Sequence, residues 1–234
     1  MTPQPAATWI RVGLFALPLY GLITAYATLK PQPDQVVDPE GWARFVSNPS
    51  YLVGHILSNV LGTALIIFGT FALGAYLATS RAPRLALWGM VLAVIGQIFF
   101  TVPGVISTFA TPAIGVAYLA GNRGVMELQF AAAATVITLL GLVFATVGNL
   151  ILSAAIWRSR TLPRWAGIIW AAGTLTFYIL GFAAGLATTG ASLPTQPIGA
   201  LLLAIGGGWI AWSALQHRSN DVPAGTAPGS IAVP

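Results

Sequence analysis

The chain has 234 residues, of which 56% are hydrophobic and only 6% charged, with a net charge of +5 and no cysteine. Soluble domains carry about 25% charged residues, so there is too little charge here to coat a globule, and lipid must be the main solvent. The missing cysteines exclude disulfides, thiolate metal sites and thiol redox chemistry, and the ten basic residues lie between apolar runs, as topology signals do and a nucleic-acid footprint does not.

A hydrocarbon core about 30 Å thick needs about 20 apolar residues per helix. Six runs qualify: 8–29, 51–79, 85–107, 126–156, 165–187 and 197–216. They predict an all-α, polytopic transmembrane helix bundle of six spans, a single domain over 1–216. In the first run Ala25-Tyr26-Ala27 resembles a signal-peptidase site, but an uncleaved anchor is the expectation, for a reason given by the repeat below. The outer loop over 30–50 is the longest link, and GWARFVSNP within it predicts a short interfacial helix with Trp42 and Phe45 toward lipid and Arg44 toward water. The second run opens with NPSYLVGHILSN. The third is followed by TFATPAIGVAYLA at 108–120, broken by Pro112, which reads either as an outward extension of the third helix or as a separate helix on the outer face. Arg123 and Glu127, one turn apart at the start of the fourth run, predict a surface ion pair of little energetic weight. Residues 217–234 read as a disordered cytoplasmic tail.

Arg11, Arg81, Arg84, Arg158, Arg160, Arg164 and Arg218 fall on one side of this threading, and Lys30, Arg44 and Arg123 fall on the other, diluted by acids. Positive residues stay cytoplasmic, so both termini are expected inside a bacterial inner (cell) membrane. Trp9, Trp88, Trp157, Trp165, Trp209 and Trp212 lie near the inner ends of spans, where an interface favours indole.

Three spans share one spacing. Gly62, Gly69 and Arg81 are repeated by Gly141, Gly148 and Arg160 and by Gly199, Gly206 and Arg218, and SRAPR at 80–84 parallels SRTLPR at 159–164. Glycines seven apart lie about 20° from each other on a helix, so each pair marks a stripe where another backbone can approach. The pattern implies three consecutive parallel hairpins, which requires the first span to stay attached.

Two polar sets stand out. Tyr51, His55, Ser58, Asn59, Gly62 and Gly69 share one face of an ideal helix, near headgroup depth. They read either as an outward-opening ligand pocket or as interhelical hydrogen bonds without a ligand. Thr70, Gln97, Asn149 and Thr174 lie ~15–20 Å from the arginine turns, close to the midplane. That layer reads either as a transporter-like binding site or as structural hydrogen bonding. The candidate ligand residues are therefore Tyr51, His55, Asn59, Gln97 and Asn149. No catalytic residue and no metal site is assigned: the sequence has no paired carboxylates at membrane depth, no histidine cluster (His55 and His217 stand alone), no Gly-x-Ser-x-Gly elbow and no lysine within a span. No cofactor is expected, and the chain is not expected to be an enzyme.

DPEGWARFVSNPSYLVGHILS, RSRTLPRWAG and GGGWIAWSALQHR together resemble a group of uncharacterised bacterial six-helix integral membrane proteins, of the domain-of-unknown-function type, over about residues 8–218. The resemblance implies the fold and no substrate. The expected role is a non-catalytic interaction, accessory or scaffold component, the alternative a small-molecule transporter or receptor with a site between the His55/Asn59 face and the Gln97/Asn149 layer. Expected partners are membrane lipids and other membrane subunits, or self-association through the glycine stripes, and no nucleic acid.

Overall fold

A computed structural model describes residues 4–128, 131–188 and 192–220. Among them every regular element is helical. Helix α1, Gln4–Gly13, and α2, Ala16–Thr28, form the first span. Pro18 has no N–H to give the Leu14 carbonyl, which instead accepts from Leu17 N at 3.1 Å, and the chain turns at 14–15. Helix α3, Pro39–Val46, starts where the Asp38 side chain accepts from Gly41 N and Pro39 fills the first helical position. The second span, α4, Pro49–Leu77, repeats that device with Asn48 and Pro49. Then come α5, Pro83–Leu119, a 3-10 turn at Arg123–Glu127, α6, Ala132–Ser159, α7, Arg164–Thr188, and α8, Thr195–Asn220.

Six spans, α1 with α2 and then α4 to α8, are long and apolar enough to cross a membrane, as the composition requires. Their outward faces expose large apolar side chains such as Phe68, Val136, Leu180 and Ile205. Two boundaries differ from the sequence reading, and one alternative is resolved. The fourth span begins at Ala132 rather than 126, because 123–127 winds as the 3-10 turn. Of the two readings of 108–120, the structure has the outward extension of the third helix, giving α5 37 residues. Helix α8 continues to Asn220, beyond the expected start of the tail, and residues from 221 on lie outside the described residues.

Each span packs on the ones before and after it, and α8 returns to α2, so the six spans close a ring. The glycine stripes make the hairpins. A Cβ on Gly69 would lie 2.5 Å from Leu17 of α2; one on Gly148 would lie 2.2 Å from the Ala93 N of α5; one on Gly199 would lie 2.4 Å from the Phe177 N of α7. Every stripe therefore meets the span that precedes it, as the repeat predicts. Ring closure uses another pair: Gly21 lies against the backbone of Ala204, and Gly207 lies against Leu17 and Pro18. The two arginine turns share one hydrogen bond. Ser80 Oγ accepts from Ala82 N and Ser159 Oγ accepts from Thr161 N, each at 3.2 Å.

Tryptophan divides cleanly. The six residues read as interfacial are all exposed, whereas Trp42 and Trp170 are buried. The burial of Trp42 corrects its expected lipid-facing position: α3 lies against the far end of α5, and Trp42, Ala43, Val46 and Tyr118 form a small core of their own. Arg44 does face water, where it pairs with Glu40 at 2.6 Å.

Candidate functional site

Each of three spans contains a stretch of π-helix: Ile56–Leu61 in α4, Ile106–Ala110 in α5 and Leu175–Ala183 in α7. A π turn bonds i to i+5, so it adds a residue to the turn and rotates everything beyond it. The first two stretches meet at the end of the bundle away from the arginine turns. There the Asn59 amide donates to the Gly104 carbonyl at 3.2 Å and to Thr108 Oγ1 at 3.0 Å. The Tyr51 hydroxyl meets Ser107, at 3.0 Å from its Oγ and 3.3 Å from its carbonyl. That carbonyl has a reason to need a donor. Thr111 N bonds Ile106 O in the π pattern, so the next link would run from residue 112 to Ser107, and Pro112 has no N–H.

His55 stacks on the Tyr51 ring, with centroids 3.7 Å apart and planes at 25°. Its Nδ1 lies 2.9 Å from the Tyr51 carbonyl. A carbonyl only accepts, so Nδ1 carries the proton, and in the neutral ring the lone pair is on Nε2. The structure thus brings Tyr51, His55 and Asn59 together, and joins to them Ser107 and Thr108, which the sequence reading missed. The single face drawn on an ideal helix is corrected: Gly62 and Gly69 look toward α2, while Tyr51 and Asn59 reach α5. The π stretch at 56–61 supplies the physical reason, because its extra residue breaks the 100° step on which the wheel depends.

The midplane layer separates into two pairs. Gln97 Nε2 hydrogen-bonds the Tyr178 hydroxyl, and Tyr178 in turn faces Tyr20 of the first span. Asn149 accepts at Oδ1 from Trp170 Nε1 at 2.9 Å and donates from Nδ2 to the Ala145 carbonyl at 2.8 Å. Thr174 Oγ1 donates to the Trp170 carbonyl at 2.8 Å. Gln97, Asn149, Tyr178 and Trp170 are each at most 3% exposed. Phe100 closes the first pair, packed edge-on to Tyr178 and Phe182. The aromatic partners were missed because tyrosine and tryptophan inside an apolar run read as core. Equal rise was the available signal: Gln97 and Tyr178 each stand 14 residues beyond the first residue of their helices, Pro83 and Arg164, and so at one level. Thr70 belongs to neither pair. Its hydroxyl is buried without a partner among the described residues, as is that of Thr146.

The expected Arg123–Glu127 pair does not form. Arg123 donates to the Tyr118 hydroxyl at 3.0 Å and stacks over that ring, while the only ion pair among the described residues is Arg44–Glu40. The 3-10 turn over 123–127 lacks the i,i+4 geometry of an α-helix that the pairing assumed.

A closed ring of six antiparallel apolar helices with paired polar groups inside it defines a multi-pass helical membrane protein. The chain belongs to the family described as DUF4386, a domain of unknown function, whose model matches residues 12–220. No curated protein and no solved structure matches the chain.

Proposed function

We propose that this protein is a non-catalytic interaction, accessory or scaffold component of a bacterial cell membrane, with both termini cytoplasmic. One observation carries the reading: both midplane amides are closed by aromatic side chains of α7, so the centre of the ring is packed rather than set open as an aqueous passage. The stripe glycines meet neighbours within the same chain. A second subunit would therefore dock on the outward apolar faces. The test is purification in mild detergent followed by mass spectrometry of what is retained. A stoichiometric protein partner, kept by a Gln97→Leu variant, is the expected result; a monomer that carries only lipid would sink the reading.

A second reading has its own support. Two buried threonine hydroxyls inside the bundle, on Thr70 and Thr146, have no partner among the described residues, whereas Thr108, Thr138 and Thr174 bond the carbonyl four residues back. Orphaned hydroxyls fit a transporter or receptor whose polar interior is completed by a small molecule between the His55/Asn59 face and the Gln97/Asn149 layer. The chain has no cysteine, so a single Thr70→Cys or Thr146→Cys variant reports water access directly. Labelling by a small hydrophilic thiol reagent favours transport, and protection favours the first reading. Orientation is read the same way. Thr79→Cys, beside the 80–84 turn, is expected to resist an impermeant maleimide in intact cells and to react once they are opened.

A further inference from the structure

The turn between α4 and α5 and the end of α6 enclose an open cavity of about 310 Å³ lined by Arg81, Ala82, Pro83, Arg84, Leu85 and Arg158. Its three guanidiniums are exposed, and none has an acidic partner among the described residues. The described carboxylates are all at the opposite end of the bundle: Asp34, Asp38 and Glu40 precede α4, and Glu127 precedes α6. Three cations around one cavity repel one another, so the cavity favours an occupant that carries negative charge. The first residues of α5 also face this turn. Ala82 offers no side-chain cap, which leaves the Arg84 and Leu85 N–H groups, at the start of a 37-residue helix, available to the same occupant.

The class of anion follows from donors and from depth. Guanidinium groups match the paired oxygens of a phosphate, which accepts two parallel hydrogen bonds from one fork. Trp88 lies one turn deeper than Arg84 and is 63% exposed, and Trp157, beside Arg158, is 42% exposed. Exposed indoles mark the boundary of the hydrocarbon, so the cavity opens at the level of lipid phosphates. The matching turn at 159–164 is built differently. Arg160 occupies a left-handed conformation at φ 57°, and the Arg164 guanidinium lies over the Trp157 ring at 5.7 Å. The arginine cavity is therefore a property of one turn and not of basic charge at this end in general. We propose that it binds the phosphodiester headgroup of an anionic phospholipid, anchored by Arg81, Arg84 and Arg158.

The test is native mass spectrometry of the full chain in mild detergent, titrated with phosphatidylglycerol or with phosphatidylcholine of the same acyl chains. Wild type is expected to hold phosphatidylglycerol about tenfold more tightly, as clustered basic side chains do for anionic lipid. An Arg81→Gln/Arg84→Gln/Arg158→Gln variant is expected to bind both lipids alike. An Arg11→Gln/Arg160→Gln variant, which removes charge elsewhere at the same end, is expected to keep the preference. Equal loss in both variants, or a preference that survives the triple change, overturns the proposal. Should the triple variant fail to fold, Arg158→Gln alone is expected to reduce the preference about threefold, and no reduction overturns it. Millimolar inorganic phosphate is the second arm. If it displaces phosphatidylglycerol, the site serves soluble phosphate and the lipid assignment is overturned; continued retention of the lipid supports it.

Discussion

The two halves of the bundle are held together differently. The half nearest the arginine turns is, from α4 to α8, regular α-helix joined mainly by close backbone contact: Gly89 lies against the Gly148 carbonyl and Leu152, Gly148 lies against Ala93, and Gly206 lies near Trp170 N. The other half is wound with π turns in three spans and held by side chains, from Asn59 to Gly104 and Thr108, from Tyr51 to Ser107 and from Gln97 to Tyr178. In lipid, where helices gain nothing from expelling water, close packing and hydrogen bonds are the two available sources of association. This protein packs closely in both, since Gly141, Gly181 and Gly199 lie nearly as tightly against Phe100, Gln196 and Phe177 as Gly148 does against Ala93. It concentrates its interhelical side-chain bonds in the π-wound half, with Asn149 to Trp170 the exception. The stripe glycines tolerate no added atoms in either half, and the π-wound half has, besides, hydrogen-bonding groups and an extra residue per turn to rearrange.

Several changes would break or sharpen that contrast. Gly148→Leu is expected to have the largest effect, since even a Cβ there would sit 2.2 Å from the Ala93 N; a loss of about 4 kcal/mol or more, or no folded protein at all, should appear in thermal unfolding in detergent. Gly54→Ala is its control in the other half. The nearest atom to a Cβ there is Ala27 Cβ at 3.8 Å, so a change within about 0.5 kcal/mol is expected. Asn149→Leu comes next. It leaves the buried Trp170 Nε1 without an acceptor, at a cost of about 1–3 kcal/mol. Deleting Val60 from the π stretch is expected to restore α geometry and rotate Asn59 away from Gly104. About 1 kcal/mol should be lost, with faster hydrogen exchange confined to α5 beyond Gly104. A comparable deletion at Ala145, in regular helix, is expected to abolish folding, and equal outcomes for the two deletions would erase the distinction between the halves. Arg160→Gly relieves a left-handed residue in the packed half and should stabilise by about 1 kcal/mol. The smallest effect is expected for Glu40→Ala, which breaks an exposed ion pair worth under about 0.5 kcal/mol.

Much of this was legible in the residues. Long apolar runs, arginine-bearing turns and glycines at fixed spacing are local signals, and the structure returned six spans and three stripe-packed hairpins. The candidate site was legible only in part. Tyr51, His55 and Asn59 were found because polar groups are conspicuous in lipid, but Ser107 and Thr108 were not, since a serine and a threonine near two prolines read as a helix end. The midplane amides were found and their partners were not. Gln97 and Asn149 announce themselves by polarity, while Tyr178 and Trp170 are hidden by their own apolar bulk. Trp42 was placed in lipid because amphipathicity of a short helix says which face is apolar and not what covers it; α5, extended to Leu119, covers it here.

What the sequence determined alone is the number of spans, their approximate positions and the glycine-marked pairing of each hairpin, because a membrane imposes a minimum length and polarity residue by residue. Which side chains meet inside the ring was decided by tertiary structure. Helical phase sets those meetings, and a π turn changes phase by an amount that a 3.6-residue wheel does not contain.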